Sequence, residues 1–184
     1  MVAPLTKWHD EHVRFGQVLD MLEGQLVAFR AGQEPNYELM HDIVYCLHNF
    51  AHRFHHPRED VAFERMAERD PRMRMVVNRL LQEHRVIAWA GDELISRLAQ
   101  IAEDVIVERA AVETAASTYL VYYRHHLDTE ETDILPRAGK LLTSEDWAAV
   151  AAAVLPGTDS NFGADFDACY KELRKQVPPA ASTP

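Results

Sequence analysis

The sequence predicts an all-α protein, an up-down antiparallel four-helix bundle with additional short C-terminal helices. Three observations predict it. Apolar residues recur at steps of three, four and seven through most of the 184 residues, which is the spacing of one helix face. Gly and Pro interrupt that pattern at only a few places and leave four long segments joined by short connections. No segment shows the strict alternation of a half-buried strand.

The first helix carries Trp8, Phe15, Leu19, Leu22, Leu26 and Phe29 on one face, and Gly32 and Pro35 in "AGQEPN" end it. The second starts near Tyr37 and places Met40, Val44, Leu47, Ala51 and Phe54 on its stripe before entering "HHPREDVAF". Pro57 lacks a backbone donor, so this helix is expected to kink or restart there. Asp70-Pro71 opens the third, about thirty residues long by its pattern, with Met73, Val77, Leu80, Leu81, Ile87, Leu94, Leu98 and Ile101. A turn is placed around Glu103–Val107. The fourth helix carries Val112, Ala115, Tyr119, Tyr122 and Leu127 and is expected to end before "ILPRAGKLL".

A short fifth helix follows in "LTSEDWAAVAAAVL", with Thr143 and Asp146 spaced as a capping box. "PGTDSNFGAD" reads as a loop, Asp165 to Gln176 as a final amphipathic piece, and "VPPAASTP" as a disordered end. The domain expectation is a bundle over 1–140, a helical extension over 141–176 and a tail over 177–184.

The net charge of −10 has the wrong sign for a phosphate-binding surface, which argues against nucleic acid, and an acidic surface does not favour an anionic membrane. No stretch approaches a membrane span, and "MVAPLTKWHDEH" has no apolar signal core. Cys46 and Cys169 have no CxxC spacing, form no zinc ribbon or disulfide framework, and Cys46 reads as a buried thiol in an apolar run. Together these predict a cytoplasmic protein.

Ten histidines beside 19 Lys and Arg are the compositional oddity, and their positions give it meaning. His12 lies four after Trp8 and three before Phe15, inside the first stripe. His84 lies three after Leu81 and three before Ile87, inside the third. On the second helix His55 precedes Glu59 by four, and on the fourth His126 precedes Glu130 by four. That interval brings two side chains to one helix face. The neighbours leave alternatives open: His56 pairs with Asp60 at the same interval, His125 competes with His126, and Glu131 stands beside Glu130.

One such pair is ordinarily a solvated helix contact, and one stripe histidine is ordinarily a satisfied core residue. Four stripes carrying such groups together form a metal-ligand set. Carboxylates with several imidazoles suit a pair of iron ions, with manganese or zinc as substitutes. The candidate ligands are His12, His55, Glu59, His84, His126 and Glu130, with His56 and Glu131 as alternates. Tyr119 and Tyr122 are ordinary core aromatics, or electron donors if they stand near the site.

"HHPREDVAF", "QEHRV" and "YRHHLDTEETDILP" together resemble the hemerythrin-like HHE cation-binding domains of the bacterial cytoplasmic type, over about Trp8 to Pro136. The resemblance implies a four-helix bundle around a non-haem di-iron centre, with Glu59 bridging. It implies a protein that binds, senses or stores iron, O2 or NO, or an enzyme that reduces peroxide or nitric oxide. O2, NO or peroxide would be the small ligand; a separate reading is a regulatory protein with a degenerate site, whose fifth helix and tail contact a protein partner. The oxygen carriers of that family have two histidines four apart on the third helix, where positions 80 and 88 here are Leu80 and Ala88. One imidazole is therefore expected to be missing, unless His56 or Glu83 supplies a donor.

Overall fold

The computed structural model describes residues 3–153 and 159–177, and within them the chain is all helical, with no strand. Helix α1, Ala3–Arg30, buries Leu5, Trp8, Phe15, Leu19, Leu22, Leu26 and Phe29 as its spacing predicts. It ends in a left-handed residue, Gly32 at φ 77°. The Gln33 amide bonds the Ala28 carbonyl and the Gly32 amide bonds the Phe29 carbonyl, which satisfies two carbonyls of the last turn.

Asn36 caps the next helix by accepting from the Leu39 amide at 2.9 Å. Helix α2, Tyr37–Phe50, runs through one π turn, Ala51–His55, into α3, His56–Arg69. Pro57 cannot donate, and the His56 amide reaches five residues back to the Ala51 carbonyl. The helix therefore restarts at His56, with Pro57 in its first turn, as one of the two expectations had it. The turn before it widens by one residue, and the chain stays helical throughout.

A 3₁₀ turn, Pro71–Met73, with the Asp70 carboxylate accepting from the Arg72 amide, leads into α4, Arg74–Ala102. The following turn falls over residues 103–108, where the sequence places it. Asp104 takes φ 57° there, a conformation that Asp tolerates better than most residues.

Helix α5, Arg109–Thr129, ends before "ILPRAGKLL" as expected, but the chain stays helical beyond it. A second π turn, Glu130–Ile134, carries it into α6, Leu135–Leu141, with Pro136 in the first turn. The physical reason repeats that at Pro57. A proline just inside a helix start needs no amide, and the widened turn before it bonds the Leu135 amide to the Glu130 carbonyl.

Helix α7, Ser144–Ala152, has the expected capping box between Thr143 and Asp146. It packs on α3 and sets Trp147 against Trp8 with ring centroids 5.6 Å apart. Helix α8, Asp159–Gln176, overwrites the second half of the expected loop "PGTDSNFGAD". It lies on α2, and Cys169 is joined to Cys46 in a disulfide. Cys46 is thus not a free thiol, because α8 folds back across 123 residues of chain to meet it. The expected disordered end, 177–184, lies outside the described residues save for Val177.

Among the long helices, α1 packs on α2 and α5, and α4 packs on α2 and α5. Two separate apolar clusters fill the space between them. One contains Phe15, Leu19, Phe50, Ala51, Ile87 and Tyr123. The other contains Trp8, Ala62, Phe63, Leu80 and Ile134. On every long helix a gap separates the two clusters, and the histidines and glutamates occupy it: His12 between Trp8 and Phe15, His84 between Leu80 and Ile87, His126 and Glu130 between Tyr123 and Ile134. None of the described helices is long and apolar enough to cross a membrane.

Candidate metal centre

All six residues favoured by spacing lie in this polar layer and are buried: His12, His55, Glu59, His84, His126 and Glu130. His56, the alternate, is buried beside them at 5% exposure. Neighbouring residues on a regular helix point about 100° apart, so His55 and His56 would not both face a core. The π turn ending at His55 shifts the register and lets both do so.

Two groups of donors form. In the first, His12 Nε2 lies 3.0 Å from His55 Nε2, and Glu59 Oε1 lies 3.3 and 2.8 Å from those nitrogens. Glu130 Oε2 completes it, 3.5 Å from His12 Nε2. In the second, His84 Nε2 lies 3.0 Å from His126 Nε2, and the His56 ring stacks on His84 at 3.9 Å. Glu130 Oε1 lies 3.1 Å from His126 Nε2, and Glu59 Oε2 lies 3.5 Å from His84 Nε2. Each glutamate therefore turns one oxygen to each group. The donor atoms of His12, His55, Glu59 and Glu130, and those of His56, Glu59, His84 and His126, each lie within 4.8 Å of one another.

Four imidazoles are fixed from behind. Glu131 meets His12 Nδ1 at 2.7 Å, Glu11 meets His55 Nδ1 at 2.6 Å, Asp60 meets His84 Nδ1 at 2.7 Å and Glu83 meets His126 Nδ1 at 3.3 Å. Carboxylates behind the outer nitrogens select the tautomer whose Nε2 lone pair points inward, and they make that nitrogen more basic. Glu11 is itself held by Arg58, with N–O distances of 3.0 and 3.2 Å. Glu131 and His9 line a surface cavity of about 670 Å³ with Leu5, Leu135, Pro136, Gly139 and Lys140.

The layer's electrostatics require a positive charge. Glu59 Oε2, both Glu130 oxygens and His56 Nδ1 are buried and make no hydrogen bond. An uncompensated buried carboxylate costs of order several kcal/mol, and two pairs of Nε2 lone pairs converge at 3.0 Å. Protons or cations must fill that space. Burial alone would lower His12, but Glu131, Glu59 and Glu130 overcome it and raise the imidazole to about 10. Burial likewise opposes His84, which Asp60, Glu59 and Glu130 raise to about 10. His56 goes the other way: burial and the adjacent His84 hold it well below its usual value, so it stays neutral. Burial works against the Glu59 carboxylate, yet His55, His12 and His84 hold it well below the usual range. Oxygen and imidazole donors of this kind suit a transition-metal cation, and the residues fit one in each group.

The family-model comparison matches the hemerythrin HHE cation-binding domain over residues 3–138. The chain belongs to that family. No match was found among curated proteins or among solved structures. The matched span runs from α1 into α6, so α7 and α8 lie outside it.

The structure separates several residues that spacing left open. His125 is 54% exposed in its side chain and belongs to neither group; its Nε2 lies 3.6 Å from Glu83 Oε1. Glu131 stands behind His12 and joins neither group, and Glu83 stands behind His126 and supplies no missing donor. Asp60 pairs with His84 across helices and not with His56. Tyr122 is 40% exposed, while Tyr123 is fully buried with its ring 6.4 Å from His56. Glu11 went unnoticed because it sits one position off the α1 stripe. Its only sequence signal is its place beside His12.

Proposed function

We propose that the hemerythrin domain is a four-helix bundle holding two iron ions in the polar layer. The ring of contacts among α1, α2, α4 and α5 supports the bundle reading. The observation that carries the metal reading is the pair of glutamates, each turning one oxygen to each donor group, with three of those four oxygens buried and without a hydrogen bond. His12 and His55 would hold one ion, His56, His84 and His126 the other, and Glu59 and Glu130 would bridge them. Manganese or zinc could substitute. Such a pair supplies redox chemistry and a place for a small ligand such as O2, NO or peroxide.

On this reading His56 provides the imidazole that α4 lacks. Five imidazoles and two bridging carboxylates would fill four of the roughly six positions on one ion and five on the other, leaving about three in all for small exogenous ligands. The apolar clusters on both sides keep bulk water away from the layer. That shielding favours a protein that binds, senses or stores iron, O2 or NO over one that turns over substrate. Tyr123 supports the second reading, reduction of peroxide or nitric oxide, since a phenol beside His56 is placed to pass an electron.

An anaerobic iron titration followed by O2 exposure tests the proposal. The expected uptake is two ions per chain, with O2 uptake that reverses under vacuum. Elemental analysis giving one ion or none, with the fold intact, would overturn the dinuclear reading. Steady-state consumption of peroxide or NO with a supplied reductant would move the assignment to the enzyme.

A further inference from the structure

Helix α8 lies beyond the hemerythrin domain, yet it contributes a wall to the proposed metal centre. Phe166 is buried, with its ring 4.3 Å from Phe50 and 5.4 Å from Phe15. The Phe15 ring lies 4.9 Å from the His55 imidazole. Three aromatic rings thus stand in contact behind a candidate ligand, and only Phe166 comes from α8. Leu173, further along α8, is buried in the same apolar cluster, and the remaining ties of this helix are polar and at least partly exposed. Arg14 pairs with Asp167, Tyr170 donates to Gln17 at 2.7 Å, and Gln176 donates to Asp42 at 3.0 Å. Surface contacts of this kind contribute little each. The strong tie is the Cys46–Cys169 disulfide, placed one helical turn from Phe166.

The two sulfurs are unequally placed. Cys46 is 6% exposed on α2, while Cys169 is only half-buried on α8. Exchange begins with a thiolate reaching a sulfur, so access selects Cys169 as the atom attacked and Cys46 as the group that leaves. We propose that Cys46–Cys169 is a thiol-exchange site whose substrate is a dithiol reductant, and that opening it releases α8 from the wall beside His55. One thiolate of the reductant attacks Cys169 Sγ, the bond to Cys46 breaks, and Cys46 leaves as a thiolate and takes a proton. The reductant's second thiol then attacks the mixed disulfide and frees Cys169, which is protonated in turn. Two electrons and two protons pass from the reductant, which ends as its own disulfide.

Release of α8 stands on the packing alone. Its consequence for the metal rests on the function proposed above, so two measurements keep them apart. The first is hydrogen exchange by mass spectrometry on the full, metal-free chain, with and without dithiothreitol, using α4 peptides as the internal standard. Losing a cross-link of this span is expected to speed exchange in α8 by about tenfold or more, with α4 unchanged. Cys169→Ser should show the fast rate in both conditions. Equal α8 exchange in the oxidised and reduced protein, or two thiols reacting with maleimide in the unreduced protein, would overturn the latch.

The second measurement is the rate at which a ferrous chelator strips the iron-loaded protein. Cys169→Ser and Phe166→Ala, the latter with its disulfide intact, should each lose iron several-fold faster than the parent chain. Unchanged rates with α8 already shown to be free would overturn its role as a cover. A chain that takes up no iron would sink the metal reading, and the exchange result would then decide the latch alone.

Discussion

His125 and His126 are adjacent in sequence and opposite in fate. His126 is fully enclosed, with Glu83 behind it and Glu130 in front, while His125 faces solvent. His55 and His56 are also adjacent, but both are enclosed. The expected outcome of alanine scanning follows from this difference. His55→Ala, His56→Ala and His126→Ala should each lower iron occupancy or stoichiometry, and His125→Ala should leave both unchanged. Metal content after gel filtration reads the result. Retention of both ions by His56→Ala would show that the second group closes without it. The supporting carboxylates act one step further out. Glu11→Gln keeps the shape but weakens the hold on His55 and leaves Arg58 facing a neutral amide, so a loss of about 10–100-fold in metal affinity is expected. A competition titration against a chelator of known affinity checks it.

The two π turns both precede a proline and both border candidate ligands. Pro57 follows the turn that ends at His55, and Pro136 follows the turn that begins at Glu130. Each proline removes an amide that a regular α turn would have used, which lowers the cost of the wider turn. Pro57→Ala restores that amide. The regular α register then becomes competitive and rotates His55 and His56 relative to each other. The expected result is helicity close to the parent's but metal affinity reduced by about tenfold or more. Circular dichroism with a metal titration separates the two. Undiminished affinity would mean that packing around His55, against Phe15 and Trp8, holds the turn without help from the proline.

For the molecule as a whole, the polar layer between two apolar clusters makes stability depend on what fills it. In the metal-free protein His12 and His84, one in each donor group, are raised to about 10. A group whose folded pKa lies above its unfolded value adds stability that is fully present below the unfolded pKa, near 6.5 for His. That stability is lost as pH rises towards about 10. The metal-free protein is therefore expected to lose stability across that window, measured as a falling denaturation midpoint. Cation binding needs the neutral imidazoles, so loading near pH 7 should release protons and tighten as pH rises. Calorimetry in buffers of different ionisation enthalpy counts the protons. No proton release on loading would mean that the cations do not replace protons at these two histidines. Saturating metal should also raise stability, by about 4 kcal/mol at a thousandfold excess over the dissociation constant.

Helical periodicity by itself determined the helical character, the stripe residues and the turn near residues 103–108. It also singled out six residues that the structure buries in one layer, because burial and the four-residue interval are properties of one helix at a time. Thr143 and Asp146 were legible as a cap for the same reason, since a capping box is local. Tertiary structure decided what lies between helices. Only the approach of α1 to the first π turn puts Glu11 behind His55, and only the packing of α3 against α4 sends Asp60 to His84 and not to His56. The π turns shifted register by one residue, which no periodic reading anticipates, and so brought in His56 and carried α5 on into α6. Tyr123, four residues after the buried Tyr119, shares its face of α5, while Tyr122 points about 100° away and is exposed. The meeting of Cys169 with Cys46 depended on α8 folding back over α2, a contact between distant segments that neither segment's own pattern encodes.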